Sequence, residues 1–87
     1  MRYKSFKLFN RTIKIVYDKN LLSEGMHGSS NQMLGMIKLH DEAPEFVLWH
    51  EIAHMILDTL NYDDLSKDEQ LVDLLGQCLC QIHETLK

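Results

Sequence analysis

"VLWHEIAHMIL", residues 47–57, decides how this chain folds. Its apolar residues run all the way round, the pattern of a helix buried on every side rather than of a surface helix with one wet face. Yet His50, Glu51 and His54 stand in its middle. Burying a polar or ionisable group costs several kcal/mol unless something satisfies it. The rest of the chain must therefore supply both a cover for this helix and a partner for the three polar groups.

Just upstream, "HDEAPEF" brings Asp41, further acids and Pro44, all suited to a first helical turn, and the helical pattern continues to about Leu60. Downstream, "NYDD" reads as a turn. Ser66 and Glu69 then stand at capping-box spacing, which predicts that a last helix begins at Ser66. Leu71, Leu75, Cys78, Leu79, Ile82 and Leu86 recur at helical intervals from there to residue 87. Gly76 would let the two helices approach closely.

Toward the N-terminus the period changes from helical to two. In "SFKLFNRTIKIVYD", Phe6, Leu8, Ile13, Ile15 and Tyr17 alternate with Lys7, Thr12 and Lys14, with a break at Asn10-Arg11. This predicts a β-hairpin with one buried face. "GMHGSSNQMLGMIKLH" predicts a second pair of short strands, roughly 25–30 and 34–39, turning in the polar stretch Ser29 to Gln32. Gly25, Gly28 and Gly35 fall in this pair, where glycine weakens a strand or marks a bulge. Strands precede helices without alternating, so the class is α+β, with antiparallel hairpins followed by two packed helices.

The bulk numbers agree with a single domain over residues 1–87. The chain is 45% hydrophobic and 25% charged, ordinary for a globular protein. No apolar run reaches the roughly 18 residues of a membrane span, and "MRYKSFKLFN" has no continuous apolar core of the signal-peptide kind. These features, with two cysteines close together at Cys78 and Cys80, favour a reducing cytoplasm over a disulfide framework. Charge is uneven. Arg2, Lys4, Lys7, Arg11, Lys14 and Lys19 crowd the first hairpin, while most acids lie beyond residue 40. With no aromatic platform beside them, the basic residues read as the solvent side of strands, and a nucleic-acid surface is the weaker reading.

At about 100° per residue, His50 and His54 lie about 40° apart on one face of the central helix. Two imidazoles so placed can both reach one metal ion at about 2.0–2.1 Å. Glu51 is rotated beside them, where it can hold a water instead of ligating. This is the His-Glu-x-x-His arrangement of zinc peptidases, with the glutamate as general base. The bare pattern arises by chance in roughly 2% of chains of this composition, so its uncharged flanks matter to the argument.

A third ligand must come from elsewhere. Leu57 and Leu60 stand where an extended histidine-rich motif has glycine and a third histidine. Glu69 is the choice, with Asp73 one turn on, able to hydrogen-bond a ligand histidine from behind. Asp58, one turn after His54, is the alternative ligand, and a purely capping role is the alternative for Glu69. His83 stands about 21 Å along the helix from Glu69 and is not favoured. Two imidazoles and a carboxylate leave a fourth position open, which points to Zn2+ and to peptide-bond hydrolysis. A protein or peptide substrate could pair with an exposed strand edge, Gly35 to Leu39 being preferred. Among His27, His40, Tyr17 and Tyr62, none stands out as an oxyanion donor.

"VLWHEIAHMI", the "DEQLVDLLGQCL" segment that follows and the preceding "GMIKLH" strand resemble the gluzincin-type metallopeptidases, in particular the compact ImmA/IrrE-like proteins and their small relatives from phages and mobile elements. The likeness extends over roughly residues 25–83. It implies a minimal zincin-like core, zinc held by His50, His54 and Glu69, Glu51 as the catalytic base and Asp73 as support. It also implies cytoplasmic proteolysis. Larger members carry flanking helices and a sensor domain that this chain lacks. That difference supports the alternative reading, a non-catalytic, metal-stabilised protein that binds a host protein.

Overall fold

A computed structural model describes residues 2–21 and 27–87. Strand β1 (Ser5–Leu8) and β2 (Arg11–Tyr17) form the first hairpin, and β3 (Gly28–Asn31) and β4 (Met36–Leu39) the second. Helices α1 (Glu45–Thr59), α2 (Asp63–Ser66) and α3 (Glu69–Thr85) follow. The α+β expectation therefore holds. Residues 25 and 26, the start of the expected third strand, and Gly25 with them, lie outside the described residues.

The two hairpins are joined by a pairing that local periodicity does not reveal. The sheet order is β1-β2-β4-β3, with both hairpins antiparallel and β2 parallel to β4. Opposite Phe6 lies Ile13, opposite Ile15 lies Ile37, and opposite Tyr17 lies Leu39. One face of the sheet is thus a continuous apolar surface. It packs on Val47, Leu48 and Met55 of α1 to make the main core. A second cluster, Ala53, Leu57 and Val72, joins α1 to α3. No residue from Val47 to Thr59 is exposed, as the all-round apolar pattern requires.

Several local expectations are corrected. The first turn is centred on Phe9 and Asn10, both with positive φ, one residue before the expected break. The second turn lies at Gln32–Gly35, because Ser29, Ser30 and Asn31 belong to β3. Gly35 supplies the left-handed φ of +64° that closes it. Arg11 does not join the solvent face. Its position opposite Leu8 turns it inward, and it reaches across to the Met33 carbonyl at 2.8 Å. Strand β4 pairs on both sides, so Gly35–Leu39 is not a free edge. Among the described residues the free edges belong to β1 and β3.

Pro44 precedes α1 in extended conformation instead of opening its first turn. Helix α1 ends where Asn61 takes φ +64°, with Asn61 N–H donating to the Asp58 carbonyl and Tyr62 N–H to that of Leu57. This is a Schellman ending with asparagine in the left-handed position. The expected "NYDD" turn continues into the short α2. The last helix starts three residues later than expected, capped by Asp68, whose carboxylate accepts from Leu71 N–H at 3.2 Å. The capping box of Ser66 and Glu69 does not form: Ser66 ends α2, and Glu69 is the first residue of α3. Helix α3 buries Val72, Gly76 and Cys80, with Leu75 and Leu79 packed beside them. Leu71, Cys78, Ile82 and Leu86 of the expected apolar face are exposed.

Candidate metal centre

His50, Glu51 and His54 sit within little more than one turn of α1, among residues of the two apolar clusters. What brings a carboxylate to them is the contact at Gly76. A Cβ built there would lie 2.9 Å from His50 Cα and 3.0 Å from His50 N, so only glycine lets the helices come this close. The approach sets Glu69, two turns earlier on α3, against both histidines.

His50 Nε2 lies 3.4 Å from Glu69 Oε2, and His54 Nε2 lies 3.4 Å from Glu69 Oε1. The three ligand atoms all fall within 4.8 Å of one another. A charge-assisted N–H···O bond is shorter, at about 2.7–2.9 Å. By contrast, two ligands at about 2.0–2.1 Å from one tetrahedral ion stand about 3.3–3.4 Å apart. Each separation is thus longer than a direct charge-assisted hydrogen bond and close to a tetrahedron's edge, the two running to different oxygens of Glu69.

The far sides of the rings support the same fit. His54 Nδ1 lies 3.0 Å from Ser66 Oγ, and His50 Nδ1 lies 3.6 Å from Asp73 Oδ1. His54 Nδ1 is within hydrogen-bond distance of its oxygen and His50 Nδ1 lies just beyond it, while both Nε2 atoms face Glu69. A metal-binding histidine is usually held through its other nitrogen in this manner. The two rings meet edge to face at 5.0 Å between centroids. Glu69 itself is largely exposed, which leaves one side of the group open to solvent.

Glu51 does not join the three ligand atoms. It is buried, with only 8% of its surface exposed. Burial pushes its carboxyl above the ordinary range. His54, His50 and a hydrogen bond with Ser30 pull it back in part, and Glu69 adds to the rise. Strand β3 closes over it: a Cβ on Gly28 would come within 3.2 Å of Glu51 Cγ. The Glu51 carboxylate is thus held by a strand on one side and the two imidazoles on the other.

His50, His54, Glu69 and Asp73 come together as the sequence suggested, and Asp58 is not in the group. His83 lies away from it, its ring tilted against Trp49 at 5.0 Å between centroids and its Nε2 3.3 Å from the Tyr3 hydroxyl. Of the oxyanion candidates, Tyr17 lies under the Arg2 guanidinium and His40 Nδ1 accepts from Glu42 N–H. Tyr62 and His27 are exposed. Ser66 and Ser30 are the residues that sequence reasoning missed. Ser66 carries a signal in its place three residues before Glu69, but that spacing points to a helix cap. Ser30 carries none.

No known family, curated protein or solved structure matches this chain. Among the described residues, no helix is long and apolar enough to cross a membrane.

Proposed function

We propose that this chain is a zinc-dependent metallopeptidase of the compact gluzincin type. The observation that carries the reading is the convergence of His50 Nε2, His54 Nε2 and a Glu69 carboxylate oxygen, with Asp73 and Ser66 oxygens beside the two Nδ1 atoms. His50, His54 and Glu69 would hold the ion. Zinc bound there would supply Lewis acidity, polarising a water and a scissile carbonyl.

The chain's own residues do the rest. Glu51 serves as general base. Its raised pKa brings it toward the range in which a carboxylate accepts a proton and returns it to a leaving amine. Asp73 and Ser66 keep the imidazoles oriented. The free edge of β3 is the sheet edge beside Glu51, through Ser30 and Gly28. An extended peptide adding to that edge would run past the base, which replaces the β4 edge as the substrate platform. A phage or mobile-element origin and a cytoplasmic setting belong to the same proposal.

The test is elemental analysis of untagged protein together with a cleavage screen against a proteome digest. About one zinc per chain is expected. Glu51→Gln should keep the metal and lose cleavage. Stoichiometric metal with no cleavage by the parent protein would refute the enzymatic reading and leave the metal-stabilised binding protein in its place.

A further inference from the structure

The two hairpins turn at the same end of the sheet, because β2 and β4 run parallel and each begins just after its turn. The turns are tied together there. Arg11 Nη2–H donates to the Met33 carbonyl at 2.8 Å, and Lys14 N–H to that of Gly35 at 2.9 Å. Leu34 N–H donates to Asn31 Oδ1 at 3.0 Å, which holds the second turn in shape. On this ordered tip stand Phe9, Met33 and Leu34, with 68%, 87% and 69% of their surfaces exposed. Phe9 is also a strained choice. It and Asn10 both take positive φ, in a two-residue hairpin turn whose geometry favours asparagine or glycine.

Charge marks the same part of the molecule. The hairpins, residues 5–17 and 28–39, hold Lys7, Arg11, Lys14 and Lys38 and none of the 13 acids, in a chain of net charge −4. Lys7, Lys14 and Lys38 alternate with the core residues of their strands, so they lie on the face of the sheet away from the helices, and all three are exposed. Among the described residues, none of the three is in an ion pair. Asp18 follows β2 at the end away from the turns, and Glu51 lies beneath the sheet on the helix side.

We propose that the paired turns dock end-on against an anionic lipid bilayer, with Phe9, Met33 and Leu34 entering the interface and the lysines facing the headgroups. The acyl boundary takes the apolar side chains, and the lipid phosphates and carboxylates take the ammonium groups. At about 3.3 Å per residue, Lys7 stands about 7 Å behind Phe9, within one Debye length of the surface. Lys14 and Lys38 lie further back on the same face and add longer-range attraction. The tip is small, so stable contact needs the apolar and the basic part together. A nucleic-acid strand fits less well. The open face, formed by Ser5, Lys7, Thr12, Lys14, Val16 and their neighbours, has no aromatic ring for bases to stack on, and phosphates would leave the apolar tip uncovered.

The experiment is vesicle co-sedimentation of the full chain, with phosphatidylcholine alone or mixed with about 30% phosphatidylserine. Binding should be at least tenfold tighter to the mixed vesicles and should weaken by a similar factor in high salt. Phe9→Asn gives the turn a residue it favours, so the fold is kept while vesicle affinity drops at least threefold. Met33→Ser, at an exposed position, should act in the same direction. Lys7→Gln combined with Lys14→Gln should remove the preference for phosphatidylserine. Circular dichroism confirms that each variant is folded. A parent chain that stays in the supernatant with the mixed vesicles overturns the proposal, as does binding indifferent to Phe9→Asn. A chain that ignores vesicles but binds an oligonucleotide through Lys7 and Lys14 would put nucleic acid in the lipid's place. Glu51→Gln should bind vesicles as the parent does, so the result stands apart from any loss of cleavage.

Discussion

Alanine at position 76 sets two effects of opposite sign against each other. In a helix interior, alanine is favoured over glycine by about 1 kcal/mol. Against this, the new Cβ would meet His50 Cα at 2.9 Å, His50 N at 3.0 Å and Trp49 C at 3.2 Å. All three are backbone atoms of α1, so no side-chain rotation relieves the clash. Ordinary carbon contacts lie at about 3.5–4.0 Å, and the helices must part by roughly 0.6–1 Å to reach them. Overpacking of this kind costs about 1–3 kcal/mol, and a rigid backbone neighbour puts the case in the upper half. The net expectation for Gly76→Ala is a loss of about 1–2 kcal/mol, or roughly 4–15 °C in Tm for a domain of this size. A metal site tolerates ligand shifts of only about 0.2 Å, so the same displacement should weaken zinc binding at least tenfold. Urea denaturation with chelator present measures the first effect, and competition with a chromophoric chelator the second. A variant as stable as the parent, with unchanged zinc affinity, would refute the close approach at Gly76 as the device that assembles the site.

Three further outcomes follow from the same geometry. Glu69→Ala should lower zinc affinity at least a hundredfold while changing metal-free stability by less than about 0.5 kcal/mol, since its side chain is 70% exposed; calorimetric titration and urea melts check the two halves. Ser66→Ala removes the oxygen behind His54 Nδ1 and should cost about 10–100-fold in zinc affinity, with His54 still in place. Glu51 bears on pH dependence in chelator-treated protein. Its folded-state pKa lies above the ordinary 4.5, so the native state holds the proton more tightly than the unfolded chain. That contribution is full below about 4.5 and fades as pH rises through the folded-state value. Glu51→Gln should therefore stabilise the metal-free protein at pH 7 relative to the parent, with the advantage shrinking by pH 4. Denaturation curves with the same gap at both pH values would contradict this account.

Much of the fold is written in local pattern. Period two gave away the first hairpin, and all-round apolar character marked α1 as the buried helix, because both signals arise within a few residues of one another. The parallel joint between β2 and β4 has no such signature, being a partnership between segments separated by a full hairpin strand and turn. Helix α3 was harder for a different reason. Its apolar residues cover more of the cylinder than one core face needs, and the meridian that turns inward is set by Gly76, a residue with no hydrophobicity to announce it. At the site, the pairing of the two imidazoles is legible from spacing, while Glu69 stands beside Asp58 as one of two candidate partners until the helices are placed. Ser66 departs from its expected capping role because Asp68 takes the capping position, freeing the serine hydroxyl for His54.

The parallel joint has a consequence for the nascent chain. Strand β2 leaves the ribosome with β1 already available on one flank, but its other flank stays bare until β4 has been made. At about 5–20 residues per second this lasts on the order of seconds. During that interval an unpaired strand edge is a template for the wrong neighbour. Lys14, on the outer face of that strand and exposed in the finished protein, is placed where a charge discourages such pairing while synthesis catches up.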